Sequence, residues 1–319
     1  MKLTKRGRLT AQTWEFTTLM GNAWLHRYAI FVAFCTLLLV VAGGLVTSNA
    51  AGLSVPDWPL SYGKLMPVME GGVLYEHGHR MIAATVGILT IILAIWLWEA
   101  EPRRWVRNLG WAALGVVVLQ GVLGGLTVLF LLPKAISIGH ACLAELFFST
   151  TVAIALFTSP GWMRGVQAAE DSGWPSMRTL ASAVPVIVLC QVALGAAARH
   201  QAIGVIPHVA GAMVVAGTVF MVGIAALSQY GSHPAIGPIA RALLIVTFVQ
   251  VFLGIAAYMS RIITSEAVKP MPVMVFWTVL HVAAGALTMA ASVVLAIQVI
   301  RHVRRTASQT AVHGVTTAQ

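Results

Sequence analysis

The stretch EHGHRMIAATVGILTIILAIWLW, residues 76–98, decides the fold. It opens on an acid, two histidines and an arginine, then runs from Met81 to Trp98 without a charge. At about 1.5 Å per helical residue, a run of that length crosses most of a hydrocarbon core of roughly 30 Å. Working outward, comparable runs occupy 28–46, 109–132, 135–158, 179–198, 202–228, 242–260 and 271–300, and only 135–158 carries a charge, Glu145. The composition agrees: of 319 residues 58% are hydrophobic and 9% charged, with a mean hydropathy of +0.85. A soluble enzyme, a disordered scaffold and a fibrous repeat are excluded, and the runs are too long and continuous for a β-barrel. The sequence predicts an all-α integral membrane bundle of eight transmembrane helices in two pseudo-repeated four-helix halves. The expected organisation is an N-terminal segment 1–27, a first half 28–158, a linker 159–178, a second half 179–303 and a tail 304–319.

A net charge of +10 would suggest nucleic acid in a soluble chain, but here the basic residues lie in short segments between apolar runs. They read as topology signals, so the expected partner is the lipid bilayer and no nucleic acid. One side collects Lys2, Lys5, Arg6, Arg8, Arg27, Arg103, Arg104, Arg107, Arg164, Arg178, Arg241, Arg301, Arg304 and Arg305. The other holds Lys64, Arg80, Lys134, Arg199, Arg261 and Lys269. Basic residues are retained inside the cell. Both termini are therefore expected in the cytoplasm of a multi-pass inner-membrane protein, with the ends bearing Arg80, Arg199 and Arg261 outside. No cleavable signal is expected, because the first run is long for a signal peptide and lacks a clear small-residue cleavage site. The polar tail after Arg305 is expected to be disordered. Cys35, Cys142 and Cys190 all fall within apolar runs and read as small buried hydrophobes.

Ionisable residues inside a membrane are costly, so their pattern is informative. His79, His140, His208 and His281 fall on the even-numbered helices toward the outer side, separated by 61, 68 and 73 residues. The odd helices before the last three carry Gln120-Gly121-Val122-Leu123-Gly124, Gln191-Val192-Ala193-Leu194-Gly195 and Gln250-Val251-Phe252-Leu253-Gly254, with Val41-Ala42-Gly43-Gly44 in the first copy's place. Recurrence at hairpin spacing argues for duplicated hairpins. One histidine in a span is commonly a hydrogen-bonded core residue, but four at matching depth form two facing pairs. Paired imidazoles across a bundle suit six-coordinate haem iron, which has one axial site on each face. Zinc or copper would need the imidazoles to converge on one centre. His26, His77, His200, His233, His302 and His313, at helix ends, in loops or in the tail, read as solvated. His77 and His200 share the side of the four histidines.

Arg80, Arg199 and Arg261 stand at outer helix ends, where guanidinium could pair with haem propionates or reach lipid headgroups. Glu76 lies three positions before His79 and reads either as a proton-handling carboxylate or as a helix cap. Glu145, five positions after His140, need not share its face. The loop 47–75 contains GLSVPDWPLSYG at 52–63, whose prolines favour a rigid backbone. It reads as a lid, or as an aromatic anchor holding Trp58 at the membrane interface.

With these residues assembled, the chain resembles the haem A synthase family across nearly all of its membrane region. The resemblance rests on GLSVPDWPLSYG, on EHGHR at 76–80 as the family's E-x-x-H element, and on His140, His208 and His281. It implies oxidation of the C8 methyl of haem O to a formyl group, giving haem A for terminal oxidases. By the family pattern His79 and His140 belong to the substrate haem site, Glu76 is catalytic, and His208 and His281 hold a haem B cofactor. Haem O synthase and an electron donor are the implied partners, and the oligomeric state is left open. Some bacterial members carry a cysteine pair in the first external loop. This loop has Val55 and Ser61 near those positions and no cysteine, which excludes a thiol role there. Two other readings stand beside this one: a cytochrome b-like membrane electron carrier, and a haem-handling or export protein.

Overall fold

A computed structural model describes residues 22–171, 173–268 and 270–305. Among these, eight helices are long and apolar enough to cross a membrane. They are α1 Ala23–Ser48, α2 Gly72–Ala100, α3 Arg104–Leu129, α4 Lys134–Phe157, α5 Met177–Arg199, α6 Ile206–Tyr230, α7 Gly237–Ile263 and α8 Pro272–His302. The protein is an all-α, multi-pass membrane bundle. Hydrogen-bonding side chains start two helices: Asn22 Oδ1 accepts from the Trp24 and Leu25 N–H groups, and Ser176 Oγ from Thr179 N–H. Pro207, Pro238 and Pro272 stand at the first turns of α6, α7 and α8, where a missing N–H costs nothing.

The helices pack as two rings of four. In the first ring α1 touches α2, α2 touches α3, α3 touches α4 and α4 returns to α1; in the second, α5 to α8 repeat the circuit. The rings meet through α1 with α8, α4 with α5, and α4 with α8. Exchanging α1 with α5 and α4 with α8 leaves that set of contacts unchanged, as a pseudo-twofold arrangement requires. Each ring buries its own apolar core, around Leu25, Leu93, Leu97 and Ile154 in the first and Val222, Leu243, Leu295 and Val299 in the second. Both cores lie toward the end carrying the linker between the rings. Neither includes a residue at the level of the four histidines.

Two expectations need correction, and the linker carries structure of its own. The apolar run 81–98 understates α2, which begins at Gly72, so His79 stands two turns inside the helix instead of opening it. The run 109–132 overstates α3, which stops at Leu129: Leu131 and Leu132 adopt left-handed φ of 58° and 61°, and Pro133 follows. The linker 159–178 has local structure. It contains a helical turn at Pro160–Met163, and its strand β1, Ala169–Asp171, pairs in parallel with β2, Val303–Arg305. Residues 1–21 and 306–319, with Lys269, lie outside the described residues, and so do most of the expected N-terminal segment and tail.

Candidate functional site

The repeated Q-x-x-L-G is a seat for an imidazole. A Cβ placed on Gly43, Gly124, Gly195 or Gly254 would lie 3.2, 3.3, 2.9 or 2.8 Å from Cε1 of His79, His140, His208 or His281 respectively. Each even-helix histidine thus rests its ring on a glycine of the preceding odd helix, closer than most side chains would allow. The glutamine fixes the neighbouring helix. Gln120 Nε2 donates to the His140 carbonyl at 2.9 Å and Gln191 Nε2 to the His208 carbonyl at 2.8 Å. The third copy differs, since His281 Nδ1 donates to the Gln250 carbonyl at 3.2 Å. In the first copy Leu39 stands four residues before Gly43. The sequence showed this repeat only as duplication; its purpose needed the packing.

Two of the four histidines come together in the second ring. The rings of His208 and His281 are 6.2 Å apart between centroids, at 83°. A metal held between two imidazoles lies about 2.0–2.1 Å from each nitrogen, with each ring centre about 1 Å further, so centroids about 6 Å apart fit an axial pair. His79 and His140 are seated on the corresponding glycines of the first ring, Gly43 and Gly124. The pairs differ in their supports. Nδ1 of His281 donates to Gln250, and Nδ1 of His208 lies 2.9 Å from Gln191 Nε2. Nδ1 of both His79 and His140 is buried without a partner.

The loop between α1 and α2 is fastened over the first pair by α2. The Val55 N–H donates to Glu76 Oε2 at 2.8 Å, and Ser61 Oγ bonds His77 Nδ1 at 2.8 Å. Arg80 Nη1 donates to the carbonyls of Asp57 and Leu60 at 2.7 and 2.9 Å, while Nη2 pairs with Glu76 Oε1 at 2.6 Å. The helix-cap reading of Glu76 is overturned: Gly71 is the N-cap and supplies no side-chain bond, and Glu76, a full turn inside α2, binds the loop. His77 is correspondingly buried, not solvated. Trp58 is no simple interface anchor, because its indole lies flat on α3, 2.6 Å from a Cβ placed on Gly125. The loop stiffens itself as well. The N–H groups of Gly63 and Tyr62 donate to the Asp57 carboxylate and, Gly63 foremost, hold its pKa below the usual carboxylate value.

The remaining candidates are dispersed. Arg199 Nη2 donates to Ser48 Oγ at 2.8 Å, joining the two rings. Arg261 and Tyr258 line a cavity of about 590 Å³ with residues 198 and 201–205 at the histidine end of the second ring. Glu145 is buried with Oε2 unpartnered. It precedes by three the Phe148 that packs against Ala286 and Ala290 of α8, so it faces the junction of the rings. His200 follows the last residue of α5; burial, then Arg199, lowers its pKa. Sequence reasoning missed His302. It is 4% exposed, its Nδ1 lies 3.0 Å from Gln167 N, and its ring stacks edge-on to His233 at 4.7 Å. His313 lies outside the described residues.

The profile of the family COX15-CtaA, described as cytochrome oxidase assembly protein, matches residues 26–209, which hold the loop, Glu76, His79, His140 and His208. The chain belongs to the COX15-CtaA family. A "Heme A synthase" of Alkalihalophilus pseudofirmus is 30% identical over 135 residues, 41% of this chain and 46% of that protein. One from Symbiobacterium thermophilum is 30% identical over 169 residues, 51% and 55% of the two chains. One from Brucella anthropi is 28% identical over 141 residues, 40% of each. The chain thus spans about half the length of the curated relatives it matches. Within this COX15-CtaA member, the matched region ends before His281, so the second histidine pair is only half covered by the family profile.

Proposed function

We propose that this chain is a haem A synthase, an oxidoreductase that converts the C8 methyl of haem O to a formyl group and so supplies haem A to terminal oxidases. The observation that carries the reading is the contrast between two similarly seated histidine pairs. A ligand whose second nitrogen is hydrogen-bonded is held in orientation. His208 and His281, with Nδ1 engaged, suit a permanent haem B. His79 and His140, with Nδ1 free, suit a haem that is bound, altered and released. Haem iron supplies the redox chemistry of the methyl oxidation.

In this reading the first half, 28–158, receives haem O under the loop and the second, 179–303, keeps haem B, joined by 159–178. Residues 1–27 and 304–319 lie in the cytoplasm, and the haem sites open to the outer side. Glu76 is the acid nearest in sequence to the first pair, and oxidising a methyl to a formyl group requires proton movement that a carboxylate can assist. Arg261 and Arg199 are the guanidinium groups available to propionates of the second haem. Arg80, with both terminal nitrogens on Glu76 and the loop, orders the cover of the first. Haem O synthase and an electron donor are the partners this chemistry needs.

A bis-histidine electron carrier would use the same ligands, but it has no need of one unbraced pair or of an acid fastened beside it. Extracting the pigment of the purified protein separates the two. Haem B together with haem O or haem A is expected, whereas haem B alone in cells that make haem O would return the protein to the carrier class.

A further inference from the structure

Among the described residues Glu145 is the one carboxyl more than two turns from either end of a spanning helix, and the chemistry proposed above does not use it. It is 6% exposed, with Oε2 buried and unpartnered. Ser149 follows one turn later on the same face of α4, 4% exposed, with its Oγ likewise unpartnered. A serine inside a helix commonly returns its hydroxyl to the carbonyl four residues back, and this one does not. The pseudo-twofold relation pairs His140 with His281, an offset of 141 residues, and so pairs Glu145 with Ala286 and Ser149 with Ala290. α4 touches α8 directly, and Ala286 and Ala290 are buried there against Phe148 of α4. The acid and the hydroxyl thus stand on one side of the junction at the two positions that are alanine on the other, where small side chains leave room for them. Helix packing alone has no need of two buried polar groups without partners, which are costly. Glu145 lies five positions beyond His140, about 7.5 Å along α4, and Ala286 lies the same step beyond His281, so the carboxyl stands at one depth relative to both pairs.

We propose that Glu145 holds the proton that accompanies an electron into the bundle, with Ser149 as the hydroxyl that hands it on. This role presupposes that the histidine pairs bind haem, as in the haem A synthase reading. A ferric porphyrin between two neutral imidazoles carries one net positive charge at the iron and a ferrous one carries none. A carboxylate buried in a membrane protein is tolerable opposite a positive charge and costly without one. An electron that enters a low-dielectric interior is in turn stabilised by a proton taken up with it. Glu145 therefore passes from carboxylate to carboxylic acid as one electron enters and returns as it leaves. The electron comes from the donor the reaction needs, and the proton comes from water.

Infrared difference spectroscopy tests this on the full-length protein purified with its haem and reduced electrochemically. Reduction is expected to produce a net gain of carboxylic acid C=O absorption in step with the visible haem bands. Glu145→Gln should lose that gain while the haem still reduces, Glu76→Gln should retain it, and Glu145→Asp should keep it at a shifted frequency. Cys142 shares the face of Glu145, but a thiol has no carbonyl stretch and cannot supply the band. Haem that reduces with no gain, or with a frequency shift and no net gain, would overturn the proposal and leave the haem reading intact. So would a gain that persists in Glu145→Gln. If Glu145→Gln does not insert, Glu145→Asp decides, since an unshifted band there assigns the proton to another group. A purified protein with no reducible haem would overturn this role and the haem A synthase reading together.

Discussion

Arg80 and Glu76 form a 2.6 Å ion pair one helical turn apart, and each also holds the loop: the carboxylate through Val55 N–H, the guanidinium through the carbonyls of Asp57 and Leu60. The acid proposed for catalysis is therefore a strut of its own lid. On that proposal, proton traffic and loop order share one residue.

The two roles separate by substitution. Glu76→Gln keeps an acceptor for Val55 but loses the charge opposite Arg80. It should give inserted, haem B-containing protein that accumulates haem O or a hydroxylated intermediate and makes little haem A. Arg80→Gln should loosen the loop, seen as faster amide exchange over 54–63, at a cost on the order of 1.5–3 kcal/mol for hydrogen bonds to a charged group. Unchanged haem A output from Glu76→Gln would leave that residue a strut alone.

The glycine seats predict an ordered response. Gly254→Ala and Gly195→Ala bring a methyl within 2.8 and 2.9 Å of His281 and His208, so both should shift the haem B spectrum. Overpacking of this kind costs about 1–3 kcal/mol. Gly115→Ala on α3, where an added Cβ meets nothing within 4 Å, serves as the control and should leave the spectrum alone.

Removal of the ligands themselves tests the division between halves. His208→Ala or His281→Ala should strip or disturb haem B, while His79→Ala or His140→Ala should leave its spectrum largely intact and stop turnover. Haem B content that follows His79 and His140 instead would reverse the assignment.

The sidedness can be read with a membrane-impermeant thiol reagent in intact cells. Tyr62→Cys, exposed in the loop, should react from outside, and Val166→Cys, exposed in the linker, should not. The opposite pattern would move the haem sites to the cytoplasmic side.

Asp57 gives the loop a pH dependence of defined sign. Its carboxyl is held below its usual value by the Gly63 and Tyr62 N–H groups, so its stabilisation is present above the unfolded-state pKa and lost as the pH falls through the folded one. Amide exchange at Tyr62 and Gly63, corrected for intrinsic rates, should accelerate on acidification. Asp57→Asn should remove that step.

The eight spans were legible because each is a long uncharged run, and the histidine repeat because it keeps the hairpin period. The depth of His79 was not, since Glu76 and Arg80 read as the end of a span; the helix carries them because the loop supplies their partners. His302 misled for a related reason. A histidine at the end of a basic helix reads as solvated, and what buries it includes a linker whose three-residue strand has no periodicity to detect. The Q-x-x-L-G motif was visible, but a glycine packed against a ring and one packed against a helix look alike in sequence.

Because each imidazole leans on bare backbone, its position is set by the distance between two helices and not by any adjustable side chain. A haem held this way is a strain gauge: a few tenths of an ångström of compression between α7 and α8 reaches His281 undamped. Its absorption under hydrostatic pressure, or in bilayers of different thickness, would report the spacing of the bundle from within.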